Sequence, residues 1–238
     1  MGATIVRGLL LIFLIAAIMS GYAIHSGRVK VPPKWNPFAP LDVREPPGPL
    51  TAIKLWRTTR DPATCAAALE TSGLTYRPVA DSSAPAGCEL KDAVRVTHSD
   101  AGYGGPFIAS CPLAIGMALF ERQYLRPAAG EFFGQGVKRI DHVGSYACRN
   151  VNNSPNNRQD GRLSQHASAN AIDLTGFVLE DGRRITLARW DEGSADAAFL
   201  RRVHEGACRV FNTTLGPDYN ALHRTHFHVD MGPYRMCR

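Results

Sequence analysis

The hydrophobic pattern of this chain begins with one uninterrupted apolar run. Residues 8–24 (GLLLIFLIAAIMSGYAI) contain no charged side chain, with Arg7 before them and Arg28 shortly after. The run is apolar on every face, which disfavours the alternative of a buried core helix. It reaches the length range of a membrane-spanning helix. A cleavable signal peptide has a similar start, so both interpretations stay open; we favour an uncleaved anchor because no clean small-residue cleavage site follows.

Proline dominates the segment that follows the apolar run. Seven of the sixteen prolines lie within residues 31–50. Proline restricts φ and removes a backbone donor, which predicts an extended segment rather than a helix or a central strand. We therefore divide the chain into an anchor at 1–27, a linker at 28–50 and a folded domain at 51–238. Trp35 and Phe38 can dock the linker either on the domain or at the membrane interface.

Short periodic segments follow in the domain. The clearest is a helix over Ala195–Phe211, where apolar residues recur at intervals of three and four. The remaining patterns predict helices at Ala63–Leu74 and Pro112–Leu125, and strands at Val94–His98, Val137–Tyr146, Ala171–Phe177, Arg184–Ala188 and Phe227–Met231. The chain has no internal repeat and no regular βαβ alternation. This predicts an α+β fold with a small antiparallel sheet and flanking helices.

Composition, charge and cysteine content indicate the class of protein and the cellular compartment. With 45% hydrophobic and 20% charged residues, the chain is globular rather than disordered or collagen-like. The net charge of +6 favours anionic surroundings of any kind. Six widely spaced cysteines without a CxxC motif predict three disulfides in an oxidising compartment. Proximity along the chain pairs Cys65 with Cys88 and leaves the other four unassigned.

Charge and cysteines disagree about the side of the membrane on which the domain lies. Basic residues are more frequent after the apolar run than before it, so the positive-inside rule would retain the domain in the cytoplasm. Six widely spaced thiols are unusual in a reducing compartment. We give priority to the cysteines. The prediction is a single-pass protein of the inner (cytoplasmic) membrane with its domain on the periplasmic side.

Two segments carry the candidate chemistry, and the first reads SQHASANAIDL at residues 164–174. In the predicted strand, Asp173 points away from the face shared by Ile172 and Leu174. A carboxylate buried between apolar neighbours requires a cation, a metal ion or several hydrogen bonds. The alternative is an aspartate on a solvated strand face.

The second segment reads HRTHFHVD at residues 223–230. In a strand, His226, His228 and Asp230 share one face, and Phe227 and Val229 take the core face. An HxHxD pattern of this kind indicates a metal site. The alternative is a half-buried edge strand whose polar face meets water.

Together the two segments favour a catalytic zinc centre. Catalytic zinc typically takes three protein ligands and keeps one position open. His166, Asp173 and one histidine of the HxH pair supply such a set, and the other histidine is then placed to move protons. Asp230 and His223 can orient the ligands, and Ser164 caps or orients the loop. Iron and copper use the same donors, but neither a thiolate nor an axial methionine accompanies them.

The run SQHxxxxAID and the terminal HxxHxHVD resemble the LAS group of zinc peptidases, which includes VanY-like D-Ala-D-Ala carboxypeptidases and penicillin-insensitive murein endopeptidases. Over about residues 35–238 the chain resembles, more closely, the extensin-like C-terminal domain family. The segments that carry this resemblance are WNPFAPLD at 35–42, CPLA at 111–114, SYACR at 145–149, LSQHASANAIDLTGF at 163–177, FLRRVHEGACRVFNTTLGPDYN at 199–220 and HRTHFHVD at 223–230.

The resemblance implies a role for each matching residue. His166 and Asp173 match the first two zinc ligands of the LAS pattern, and His228 matches the third. His226 matches the catalytic histidine of the murein endopeptidases, where VanY-like enzymes have a glutamate, which favours the endopeptidase-like arrangement. His223 matches a further active-site histidine. Arg149 resembles the arginine that holds the scissile carbonyl or a substrate carboxylate.

The function implied is a zinc-dependent peptidase acting on the D-amino-acid stem peptides of peptidoglycan, as a D,D-carboxypeptidase or an endopeptidase. The alternative is a non-catalytic cell-wall-binding module of the same fold. The expected partners are peptidoglycan or its stem peptides, and the membrane through the N-terminal helix. Nucleotide-binding fingerprints and a GxSxG elbow do not occur in the sequence. The basic pairs lack the interleaved aromatics of a nucleic-acid site. The polar loop Arg149–Arg162 either lines the cleft or is solvated.

Overall fold

A computed structural model of the chain describes residues 2–151 and 162–238. Helix α1 spans Gly2–His25, and no residue of its Thr4–His25 part is buried. Its Thr4–His25 part has a mean hydropathy of 2.2 in its most apolar window. At 1.5 Å per residue this part is about 33 Å long, which matches the hydrocarbon thickness of a bilayer. The helix is therefore long and apolar enough to span a membrane, and its position near the amino terminus also fits a signal sequence.

The proline-rich segment forms one short 3-10 turn, Pro33–Trp35, and otherwise has irregular backbone. Its second half is packed against the domain: Leu41 and Val43 belong to the hydrophobic core. The Val43 backbone N–H donates to Thr71 Oγ1 at 3.1 Å. Residues from about 41 onward therefore form part of the folded unit.

The first half of the domain contains a three-stranded antiparallel sheet in the order β1-β2-β3. Two short helices precede it, and a long helical segment follows it. The bounds are α2 Thr51–Thr58, α3 Pro62–Glu70, β1 Thr75–Pro78, β2 Ala93–His98, β3 Phe107–Ser110, α4 Cys111–Phe120, a π-helical turn Glu121–Leu125 and α5 Arg126–Phe133.

The second half is built on a six-stranded sheet in the order β4-β5-β8-β7-β9, with β6 paired to β5. All pairings are antiparallel except that of β7 with β9. The bounds are β4 Val137–His142, β5 Ala171–Leu179, β6 Arg184–Thr186, helix α6 Ala195–Val210, β7 Thr213–Leu215, β8 Phe227–Asp230 and β9 Met236–Cys237. Phe199 of α6 packs its ring 5.7 Å from Phe177 of β5, so the helix closes the core over this sheet.

The predicted α+β class is confirmed, and each predicted helix and strand has a counterpart in the fold. The predicted helix at Pro112–Leu125 extends further, because the π turn lets the chain continue through Pro127, which lacks a backbone N–H. The predicted strand from Val137 ends at His142, and Gly144 follows with a φ of +111°. Strands β1, β3, β7 and β9, of two to four residues, were not predicted, because none of them shows the clear alternation of apolar and polar residues that β8 has.

All six cysteines form disulfides, as the count predicted, but the predicted Cys65–Cys88 pair is wrong. The bonds are Cys65–Cys111, Cys88–Cys148 and Cys208–Cys237. Cys65 lies on α3, which packs against the start of α4, so its partner is 46 residues away rather than the next cysteine. Distance along the chain did not indicate this packing.

Candidate metal centre

Two antiparallel strands and one turn bring the central polar residues together. Asp173 of β5 lies directly opposite His228 of β8 in the strand register. The neighbours of both residues on the same strands are fully buried, which turns Asp173 and His228 to the other face of the sheet, as the alternation predicted. His166 reaches the same place from a 3-10 turn, Gln165–Ser168, capped by Ser164, whose side-chain oxygen accepts from the His166 N–H.

These three residues, which we call the inner cluster, point one atom each at a common centre. His166 Nε2 lies 3.2 Å from Asp173 Oδ1 and 3.2 Å from His228 Nδ1, and His228 Nδ1 lies 3.0 Å from Asp173 Oδ1. Their side chains are 3%, 13% and 12% exposed for His166, Asp173 and His228 respectively. The centre is therefore largely shielded from water.

The far nitrogen of each inner histidine is already engaged. His166 Nδ1 lies 2.6 Å from the Ser145 backbone oxygen, so it must carry the proton and donate. His228 Nε2 lies 3.1 Å from Asp230 Oδ2, and the other oxygen of Asp230 accepts from the Gly232 N–H at 2.7 Å. Hydrogen bonds of this kind set the tautomer and the ring orientation of a metal-binding histidine.

With these tautomers, two nitrogen lone pairs and one carboxylate oxygen face each other, and no proton is left between them. Such an arrangement requires a positive charge at its centre. Donors bound tetrahedrally to zinc at 2.0–2.1 Å lie about 3.3 Å apart, close to the three separations of 3.0–3.2 Å. The inner cluster therefore fits three ligands of a tetrahedral metal ion.

The acidic neighbours also control protonation of His228. Burial alone lowers its pKa, but hydrogen bonds to Asp173 and Asp230 outweigh burial and raise the pKa to about 9. Burial tends to raise the pKa of Asp173, yet hydrogen bonds from His166 and His228 hold it well below its usual range. Without a metal ion, a proton on His228 supplies the central positive charge.

Two further histidines, which we call the outer pair, lie beside the inner cluster. His226 precedes β8, and its Nε2 is 3.7 Å from Asp173 Oδ1. His223 ends a 3-10 turn, with its Nδ1 2.8 Å from Asn220 Oδ1 and its ring 5.1 Å from that of His226. Burial lowers the pKa of both, that of His223 to about 4.

The chain after β4 forms one wall of the site. The Ser145 side chain donates to the Ile108 carbonyl, and the Ala147 N–H donates to the His166 carbonyl at 3.0 Å. The Cys88–Cys148 disulfide ties the wall to the segment before β2. Arg149 ends the wall half-buried, and its charge contributes to lowering the pKa of both histidines of the outer pair.

The structure thus gathers the residues that the sequence singled out, and adds two contacts that no motif indicated. The Ser145 backbone oxygen that fixes His166 has no sequence signature, because any residue supplies a carbonyl. Asn220, which orients His223, could have been noticed as a helix-capping residue three positions before a histidine. Most of the predicted polar loop, residues 152–161, lies outside the described residues.

A second group of potential donors, His204 with Cys208 and Cys237, lies elsewhere in the domain. The two cysteines are joined to each other in a disulfide, so neither has a thiolate to offer a metal. The inner cluster is the stronger candidate centre among the described residues.

Comparisons with known proteins identify the domain. Neither the search of curated proteins nor the search of solved structures found a match. A family described as "Extensin-like protein C-terminus" matches residues 63–238, which include all of the inner cluster and the outer pair. The match covers well over half of the chain, and the chain belongs to the extensin-like protein C-terminus family.

Proposed function

We propose that this protein is a zinc-dependent peptidase of the LAS type, acting on the D-amino-acid stem peptides of peptidoglycan. The observation that carries the proposal is that His166, Asp173 and His228 point one donor atom each at a common centre, within 3.0–3.2 Å of one another, while the far nitrogen of each histidine is already hydrogen-bonded. A centre with three protein ligands is typical of catalytic zinc, whereas structural zinc is bound by four. The motif resemblance to LAS peptidases supplies the reaction class.

In the proposed reaction His166, Asp173 and His228 hold the metal ion. When bound, zinc supplies Lewis acidity, which polarises a carbonyl and lowers the pKa of water. Ser145 and Asp230 keep the two imidazole rings in their metal-binding orientation, so little reorganisation accompanies binding.

His226 has the position of a proton carrier in this scheme. Its Nε2 lies close to Asp173 but outside the three-donor triangle. From there it takes the proton of the water that attacks the amide carbon and returns a proton to the leaving nitrogen. Arg149, beside the outer pair, places a positive charge where an amide oxygen or a terminal carboxylate becomes negative.

The exported setting is part of the same proposal. Three disulfides are typical of an oxidising compartment, and α1 is long enough to anchor the chain. We place the domain on the periplasmic side of the inner membrane, where peptidoglycan is accessible. A fusion of a compartment-sensitive reporter to the carboxyl terminus tests this placement; cytoplasmic reporter activity would contradict it.

The direct test is to purify the full chain in detergent, measure its metal content and incubate it with purified sacculi. We expect one zinc ion per chain and release of shortened or uncrosslinked muropeptides, detected by mass spectrometry. Chelation should stop release, and zinc should restore it. The matched variant is His226→Ala, which should bind zinc as the wild type does but release no muropeptides. A zinc-loaded wild-type protein that binds sacculi without releasing muropeptides would overturn the peptidase and favour a cell-wall-binding module.

A further inference from the structure

Nearly all of the net positive charge of the chain comes from one region. Residues 26–60 contain seven Lys or Arg and two Asp or Glu, whereas residues 61–238 contain nineteen of each and are neutral overall. The remaining unit of charge is Arg7, before the apolar run. The net charge of +6 therefore does not mean that the whole domain attracts polyanions. Its source is the stretch that directly follows α1.

The two acidic residues of this stretch are already paired. Asp42 forms an ion pair with Arg44 at 2.7 Å, and Glu45 lies 3.8 Å from Lys54. Five basic residues remain, and in residues 2–151 and 162–238 none has a carboxylate oxygen within 4.0 Å. They are Arg28, Lys30, Lys34, Arg57 and Arg60.

Large aromatic side chains are exposed in the same stretch. Trp35 is 56% exposed and Trp56 is 55% exposed, whereas the third tryptophan of the chain, Trp190, is 4% exposed and lies in the core. Ile53, Trp56 and Arg60 follow one another at helical spacing on the outer face of α2 and its end, while Lys54 and Leu55 on the other side are buried.

Each exposed aromatic ring has a cation beside it. The Arg60 guanidinium lies 4.5 Å from the centre of the Trp56 ring, that of Arg57 lies 5.5 Å from Phe38, and Lys34 Nζ lies 5.4 Å from Trp35. Side chains with an apolar ring next to a positive charge are typical of the headgroup layer of a membrane, where one end is apolar and the other is wet.

Contacts connect this surface to the end of α1. The ring of Phe38 lies 5.1 Å from that of His25, the last residue of α1. The Lys54 ammonium donates to the Pro33 carbonyl at 2.8 Å and Arg57 to that of Pro37 at 2.5 Å, which holds the segment on α2. The exposed aromatic residues and the membrane helix are therefore parts of one continuous surface.

We propose that Trp35, Phe38, Ile53, Trp56 and Arg60 form a membrane-docking surface, which seats the domain on the anionic phospholipid headgroups around α1. Charge complementarity and continuity with α1 both favour a phospholipid surface as the occupant. The proposal takes α1 as the membrane helix and does not depend on the peptidase reaction. Docking fixes the height and tilt of the domain above the bilayer.

The three tryptophans allow a direct test in the full chain. The protein is reconstituted in nanodiscs of phosphatidylcholine with some phosphatidylglycerol, in which part of the lipid carries bromine on its acyl chains. The Trp35→Phe variant then reports on Trp56, and the Trp56→Phe variant on Trp35. After subtraction of the Trp190 emission, which the double variant gives, we expect brominated lipid to reduce the emission of each by about twofold relative to unbrominated discs, as for interfacial tryptophan. The Trp35→Phe/Trp56→Phe double variant reports only the core residue Trp190 and should show no reduction.

Charge reversal tests the headgroup contribution. In the Trp35→Phe background, Arg60→Glu should weaken docking about fivefold in discs that contain phosphatidylglycerol and much less in discs without it. Arg209→Glu, at another exposed position, on α6, is the matched reversal and should leave the quenching unchanged. Circular dichroism and Trp190 emission confirm that each variant is folded.

Three outcomes would overturn the proposal. One is a protein that co-elutes with the discs through α1 while Trp35 and Trp56 stay unquenched. Another is a protein that does not remain with the discs. The third is a change in Trp56 emission on addition of sacculi but not of lipid, which would mean that the surface binds cell-wall glycan. Since the readout is fluorescence, a chain without peptidase activity still gives a decisive result.

Discussion

The inner cluster contains two histidines, His166 and His228, and the outer pair contains two more, His223 and His226, yet their surroundings differ. Each histidine of the inner cluster has its far nitrogen bound to a backbone carbonyl or a carboxylate, which leaves the other nitrogen directed at the centre. His226 precedes β8 and lies outside the three-donor triangle, and His223 is oriented by an asparagine. In the proposed reaction, the hydrogen bonds at their second nitrogens suit His166 and His228 to hold a metal ion, whereas His226, outside the triangle, is free to carry protons.

Removal of one donor of the inner cluster is expected to have the largest effect on zinc content and turnover. His166→Ala or Asp173→Ala leaves two donors, too few to hold zinc firmly. Zinc content, measured by elemental analysis after dialysis, should fall from near one per chain to background, and muropeptide release should cease. A variant that is folded by circular dichroism and still retains a full zinc ion would show that the inner cluster is not the metal site.

The next largest effect is expected at His226. His226→Ala removes a proton carrier but no donor, so zinc content should stay near one per chain. Turnover should fall by roughly 10²–10⁴-fold, the usual contribution of general acid–base catalysis. Muropeptide release at the wild-type rate would contradict the distinction between the inner cluster and the outer pair.

The Asp230→Asn variant tests whether the carboxylate next to His228 Nε2 raises the affinity of the site for zinc. Asp230→Asn keeps the shape but removes the charge that holds His228 Nε2. Zinc affinity, measured by competition with a chromogenic chelator, should fall about 10–100-fold, while saturating zinc restores binding. An unchanged affinity would mean that the position of β8 alone orients His228.

The smallest effect is expected at His223 and its partner. His223→Ala should keep zinc and lower turnover by roughly tenfold, less than a residue that transfers the proton directly. Asn220→Ala should act through the same side chain, so the double variant should be no slower than His223→Ala alone. Fully additive losses would show that the two residues act independently.

Much of the site was predictable because strand alternation is a local property. Ile172 and Leu174 flank Asp173, and Phe227 and Val229 flank His228, so burial of the apolar residues turns the polar ones to the opposite face. This alternation placed β5 and β8 close to their observed bounds, and the helical spacing of three and four did the same for α6. Strands β1, β3, β7 and β9 and helix α2 show no such clear pattern and were not predicted.

Contacts between distant segments were not predictable from local pattern. The pairing of Cys88 with Cys148 depends on how the chain after β4 passes the segment before β2. The packing of Leu41 and Val43 into the core likewise depends on a surface that only the folded domain provides.

The sequence by itself determined the apolar segment near the amino terminus, the location of the positive charge, the α+β class and the residues able to bind a metal, because each of these follows from residue type and short-range spacing. The tertiary structure alone decided that His166, Asp173 and His228 meet within 3.0–3.2 Å, that a Ser145 carbonyl sets a histidine tautomer, and which cysteines pair. These outcomes depend on strand register and on chain packing between residues up to 62 positions apart, which no local pattern encodes.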